Sequence, residues 1–150
     1  MFEDAFPKPD GKAIFSPADL VPPDELPDNE YPFVLTTGRQ LEHWHTGAMT
    51  RRATVLDALE PEPYVAMNPL DMRALGVEDG EKVRVATRRG EVVAPVRMDR
   101  RVPEGLIFMP FAYVEAAANI LTNPKLDPFG KIPEFKFAAA CVQRVAPQAS

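Results

Sequence analysis

The chain has 150 residues, enough for one domain with a core of its own. A hydrophobic fraction of 45% and a charged fraction of 26% are those of a globular protein, and a net charge of −5 removes the phosphate-neutralising force that non-specific nucleic-acid binding needs. Its single cysteine, Cys141, excludes an internal disulfide, and also a zinc ribbon or iron–sulfur cluster held by this chain alone.

Seventeen prolines against eight glycines is about twice the usual proline share. This argues against long helices and for a β-rich fold with many loops. The serines are Ser16 and Ser150, one near each end, which leaves none for a nucleophile in the structured centre. No apolar run reaches the length of a membrane span and no signal-peptide pattern opens the chain, so direct membrane insertion is not expected. A cytoplasmic setting follows, with a periplasmic one left open for any parent enzyme.

Residues 1–30 are proline-rich and read as an extended lead-in or linker, and residues 31–150 as the domain proper. Phe2, Phe6, Ile14 and Phe15 make the lead-in more apolar than a solvated tail. From Tyr31, "YPFVLTT" predicts a buried strand running into Gly38, followed by a polar loop to Arg52. "RRATVLDALE" predicts a short helix with Ala53, Leu56 and Leu59 on one face, ended by Pro61 and Pro63. "YVAM" from Tyr64 predicts a second strand.

The next helix carries its own punctuation. Asn68 is placed to cap it, Pro69 suits its first position, Asp71 its first turn, and Gly76 a left-handed end. Leu70, Ala74 and Leu75 form its predicted apolar stripe. "EKVRVATRR" then alternates, with Val83, Val85 and Thr87 inward and Lys82, Arg84 and Arg88 on a solvated face. Arg89-Gly90 turns it back into "EVVAPVRM" as a hairpin. "GLIFMP" and "FAAACVQRV" predict two more strands, with Cys141 read as a buried core thiol. About six short strands, two short helices and many turns predict a small barrel.

The segment "TTGRQLEHWHTGAMTRR" holds both histidines, the only tryptophan and three arginines. His43 and His45, two residues apart, share a side of an extended segment. With no third histidine and Cys141 distant in sequence, they do not read as a metal site. Arg51 and Arg52 are either ligand cations or bonds to a neighbouring domain.

Three motifs in order carry a resemblance: "TGRQLEHWHTGAMTRR", "MNPLDMRALGVEDGEKVRVATRRGEV" and "AANILTNPKLDPFGKIPEFKFAA". Over residues 31–145 the chain resembles the C-terminal, dinucleotide-binding domain of the molybdopterin oxidoreductases (the dimethyl-sulfoxide-reductase family). Within that family it is most similar to the α subunit of formate dehydrogenase, and nitrate reductases of the family carry similar loops. The resemblance implies a mainly β fold with short helices, a six-stranded double-psi β-barrel. It implies molybdopterin guanine dinucleotide as the cofactor, with the molybdenum or tungsten held outside this chain. The implied partners are the remaining domains of the α subunit, together with iron–sulfur and NAD- or quinone-linked subunits. It implies no catalytic residue and no metal ligand here.

A pterin dinucleotide requires donors for its pyrophosphate, paired donors and acceptors for the pterin edge, and cover for its flat rings. Thr37, Gly38 and Arg39 suit the first need, because glycine lets backbone approach closely and arginine offers a planar fork. The resemblance adds Gln40, His43, His45 and Thr46 from the loop, Asn119, and finally Phe135 and Lys136. Each also has a plainer use: His43 or His45 as a loop-holding histidine, Asn119 as a helix cap, Phe135 as core. Two rival readings remain, a stand-alone barrel that recognises a partner or substrate and a small independent enzyme. The second lacks a nucleophile or an acid–base pair.

Overall fold

The computed structural model describes residues 3–145, so Phe2 and Ser150 lie outside the described residues. Six strands form a closed barrel: β1 (Phe33–Gly38), β2 (Val65–Met67), β3 (Lys82–Ala86), β4 (Glu91–Met98), β5 (Leu106–Pro110) and β6 (Ala138–Arg144). Their order around the barrel is β1-β5-β2-β4-β3-β6. Two pairings are parallel, β1 with β5 and β2 with β4, and the others are antiparallel. With these two parallel crossings the fold is a double-psi β-barrel, as the resemblance implied.

Period-two alternation builds the core. Leu35, Val65, Met67, Val83, Val85, Ala94, Val96, Ile107, Met109, Ala138, Ala140 and Val142 all point inward and are buried. Each large aliphatic chain so buried contributes about 1.5–3 kcal/mol. Val83, Val85 and Thr87 occupy the inward face as the alternation predicted. The run Ala138, Ala139 and Ala140 is buried throughout, where β6 lies between β1 and β3.

The helices are short: α1 (Thr54–Leu59), preceded by a 3-10 turn (Thr50–Arg52), and α2 (Pro69–Leu75). In α2 the cap works as expected, since the Asn68 side chain accepts from the Leu70 amide and Gly76 takes φ 66°. Its buried face is different, however. Met72 is buried and Leu75 partly so, whereas Leu70 and Ala74 are exposed. The helix sits on the barrel by one contact line too narrow for the predicted stripe. In α1 no residue is buried, and Ala53 and Leu59 face outward. Cys141 is half-buried on β6 opposite Ala86 rather than in the core. Among the described residues no helix is long and apolar enough to cross a membrane.

Described residues before Phe33 form no helix or strand. Arg88, expected on a solvated face, pairs with Glu25 and Asp28 of this segment and lies over the Tyr31 ring, 4.4 Å from its centroid. Arg84 does lie on the outer face, beside Glu91 and Gln143.

Candidate functional site

β1 and β5 run parallel and finish together, Thr37 opposite Met109 and Gly38 opposite Pro110. Gly38 has no side chain for a steric reason: a Cβ there would lie 2.3 Å from the Phe108 ring. Beyond the strand ends the Phe111 amide donates to the Gly38 carbonyl at 3.1 Å, which holds the two departing loops together. A third segment crosses the same end. The Thr37 hydroxyl donates to the Phe135 carbonyl at 2.7 Å, and Lys136 Nζ donates to the Thr37 carbonyl at 2.5 Å. The Lys136 ammonium also lies 5.7 Å from the Phe111 ring centroid and 5.4 Å from that of Phe135, within cation–π range.

The loop after β1 is pinned from inside. His43 is 2% exposed, with Nε2 at 2.8 Å from the Glu60 carbonyl and Nδ1 at 3.3 Å from the Thr50 hydroxyl. A carbonyl can only accept, so Nε2 carries the proton and Nδ1 accepts from Thr50. The Thr50 oxygen accepts in turn from the Trp44 amide at 2.9 Å. The Tyr113 hydroxyl donates to the same Glu60 carbonyl at 3.0 Å, and burial pushes its pKa up to about 12. Arg51 donates to Asp57, Glu115 and the Pro61 carbonyl, and its guanidinium lies 5.1 Å from the Tyr113 centroid. The Glu115 bond raises the Arg51 pKa, and that same bond holds the Glu115 carboxyl below its usual value.

These bonds decide what faces outward. His45 has φ 49°, a left-handed turn, and sets its ring edge-on to Trp44. Gly47 has φ 74°, and a Cβ there would lie 2.6 Å from the Ala112 carbonyl oxygen. Arg39 and Arg52 are exposed, and their side chains have no hydrogen-bond or ion-pair partner among the described residues. Arg39 borders a hollow of about 600 Å³ that also includes Trp44 and Leu56. Arg52 borders one of about 400 Å³, and Thr46 joins it to a smaller one of about 180 Å³ with Phe111 and Asn119.

Of the residues predicted from the sequence, Thr37, Gly38, Phe135 and Lys136 meet at one point. Thr46 and Asn119 line one hollow beside it, and Asn119 is an exposed residue within a 3-10 turn (Ala118–Ile120), its side chain unbonded among the described residues. Gln40 is already engaged, donating to the Glu42 carboxylate and accepting from the Tyr64 hydroxyl. His43 faces inward with both ring nitrogens used, and is the loop-holding histidine of the two. Arg51 serves its own domain, neither of the uses expected of it.

Sequence reasoning missed Phe111, Tyr113 and the Glu60 carbonyl. Phe111 is marked only by its place after a strand end, and that place matters only because β5 lies parallel to β1. Among the described residues no group of three or more His, Cys, Asp or Glu side chains could hold a metal ion. The donor set suits an anionic, flat-ringed ligand: Arg39, Arg52 and the Asn119 amide, which have no side-chain partner among the described residues, a Lys136 ammonium with no carboxylate partner among them, and the Phe111 and Phe135 rings.

Residues 33–139 match the family described as the molydopterin dinucleotide binding domain. Two curated relatives are similar along nearly the whole chain. The F420-dependent formate dehydrogenase 1 subunit alpha of Methanococcus maripaludis is 46% identical over 91% of this chain. The F420-dependent formate dehydrogenase subunit alpha of Methanocaldococcus jannaschii is 43% identical over 97% of it. The chain spans only 20% and 22% of their lengths. Acetylene hydratase from Pelobacter acetylenicus shares the fold, with a TM-score of 0.70 at 21% identity, over 77% of this chain and 19% of the hydratase.

Proposed function

The chain belongs to the molydopterin dinucleotide binding domain family, and from that premise we propose that it is the part of a larger formate dehydrogenase that grips the pterin dinucleotide. The observation that carries the reading is the end of the β1–β5 pair. There the Lys136 ammonium, with no carboxylate partner among the described residues, is bonded to the Thr37 carbonyl between two phenyl rings. Lys136, Arg39 and Arg52 would hold phosphate oxygens. Thr46 and Asn119, with the neighbouring His45, would meet the polar edge of the ligand, while Gln40, held by Glu42 and Tyr64, would shape the hollow beside Arg39. Phe111 and Phe135 would cover its rings. Gly38 and Gly47 keep the backbone close and the loops in register.

When bound, the group supplies the molybdenum or tungsten centre for formate oxidation, which lies in other domains. This chain's own residues bind and orient that group. The proposal includes the other domains of the same polypeptide as walls of the site, as well as a cytoplasmic setting. It also includes iron–sulfur subunits and an electron-carrier subunit, for which the relatives' names point to F420 ahead of the NAD or quinone linkage expected from the sequence.

The test is metal and pterin content per protein, measured beside the formate oxidation rate in the parent enzyme. Losing a hydrogen bond to a charged group costs about 1.5–3 kcal/mol, roughly tenfold or more in affinity. Arg39→Ala should therefore lower cofactor content and activity together, leaving activity per bound metal little changed. Arg39→Lys should recover part of the loss, since it keeps the charge without the fork. Arg84→Ala, on the outer face of β3, should change neither. Full cofactor loading in Arg39→Ala would remove this arginine from the site.

A further inference from the structure

The lead-in reaches the back of the site through one carboxylate. Glu25, with its side chain 12% exposed, accepts from Arg88 Nη1 at 2.6 Å and from the Ala139 amide at 3.2 Å, and pairs with Arg89 through its other oxygen. Arg89 Nη2 donates onward to the Leu121 carbonyl at 3.0 Å. Ala139 is three residues after Lys136, and Leu121 is two after Asn119. Gly90, in the same turn as Arg89, lies so close to Ile120 that a Cβ would be 2.5 Å from its side chain. Next to Glu25, the Asp24 amide donates to both oxygens of Glu134 at 3.2 Å, and Glu134 also accepts from Asn123 at 3.0 Å. One short stretch of the lead-in thus grips, from behind, both segments that carry Asn119 and Lys136.

We propose that Glu25 is a positioning residue for the dinucleotide site, so that the site is complete only with the lead-in docked. This rests on the functional reading above. The physical reason lies in Arg89. Its Nε is buried without a partner among the described residues, so the guanidinium stays in place through the Glu25 charge and the Leu121 carbonyl. Without that charge the guanidinium is better hydrated than buried, and its pull on the Asn119 turn is lost. The Ala139 amide loses its acceptor in the same event, at the root of the Lys136 segment. The lead-in is therefore a working part of the domain rather than a linker.

The experiment has two arms. In the first, amide hydrogen exchange is followed on the 150-residue chain, wild type and Glu25→Gln, with β2 as the internal control. Loss of charge-assisted bonds should speed exchange about tenfold or more in residues 118–123 and 134–139, and leave β2 unchanged. Glu25→Asp, which keeps the carboxylate but removes a methylene, should lose less protection than Glu25→Gln, an order that lost packing alone would reverse. In the second arm, pterin content is measured in the parent enzyme with Glu25→Gln or Lys136→Ala, and both should fall. Unchanged exchange in the two segments, or a uniform rise that includes β2, overturns the proposal. So does faster local exchange with full pterin in Glu25→Gln while Lys136→Ala loses it, an outcome that spares the site itself. Full pterin in both variants would reject the site, and this inference with it.

Discussion

His43 Nε2 and the Tyr113 hydroxyl donate to one acceptor, the Glu60 carbonyl, at 2.8 and 3.0 Å. Their rings meet edge to face, with centroids 5.5 Å apart. The contact ties the loop after β1, the end of α1 and the loop after β5 to a single backbone oxygen. It explains why a loop with an exposed rim can hold a fixed shape.

His43→Ala should therefore lower stability, by about 2–4 kcal/mol, through the lost ring volume and the lost bonds to Glu60 and Thr50. Urea unfolding followed by far-ultraviolet circular dichroism measures it. His45→Ala, whose ring sits on the rim, should change stability by less than about 0.5 kcal/mol. Equal effects from the two would contradict the division of labour between them.

Gly38→Ala should destabilise by about 1–3 kcal/mol, because the new methyl would have to displace the Phe108 ring. Gly76→Ala meets nothing within 4 Å, so its cost comes from its φ of 66° alone, about 1 kcal/mol. Denaturant midpoints at equal slope compare the two. A Gly38→Ala protein as stable as wild type would mean that Phe108 moves freely.

Tyr113 makes an alkaline prediction. Burial raises its pKa from 10.0 to about 12, so the folded state holds the phenolic proton more tightly than the unfolded chain. Its contribution is fully present below pH 10 and is lost as the pH rises through 12, at a slope of roughly −1.4 kcal/mol per pH unit in between. Tyr113→Phe should be less stable at neutral pH, having lost the bond to Glu60. The gap from wild type should narrow between pH 10 and 12. Parallel stability curves over that interval would count against the buried proton.

Two asparagines separate fold from function. Asn123 is 5% exposed, donates to Glu134 and accepts from the Lys125 amide, so Asn123→Ala should cost about 1–3 kcal/mol in an unfolding titration. Asn119→Ala should leave that titration unchanged and reduce pterin content in the parent enzyme. A stability loss in Asn119→Ala comparable to that of Asn123→Ala would make Asn119 structural.

Local chemistry was legible in the sequence wherever it is local in fact. Asn68, Pro69 and Gly76 punctuate α2 through bonds and dihedrals within a few residues, and the alternation from Val83 to Thr87 follows from the pleat alone. Of the predicted stripe of α2, Leu75 packs on the core, but Leu70 and Ala74 have the right spacing and stay exposed, because the barrel leaves room for Met72 in their place. Leu59 of α1 and its cap Ala53 have the spacing too, and no element among the described residues covers them.

By itself the sequence determined the strand-rich class, the turns, the capped helix and the motifs that resemble a dinucleotide-binding barrel. These depend on propensities and spacings that each segment carries alone. Only the tertiary structure decided which loop residues face a ligand. His43 and Arg51 turn inward because Glu60, Tyr113 and Glu115 lie within reach, and Lys136 meets Thr37 because the chain enters β6 antiparallel to β1, with Leu35 opposite Ala138. Arg88 and Arg89 look like surface charges until Glu25 reaches them from the lead-in. Pairings between distant segments depend on how the chain closes, and no local pattern encodes that closure.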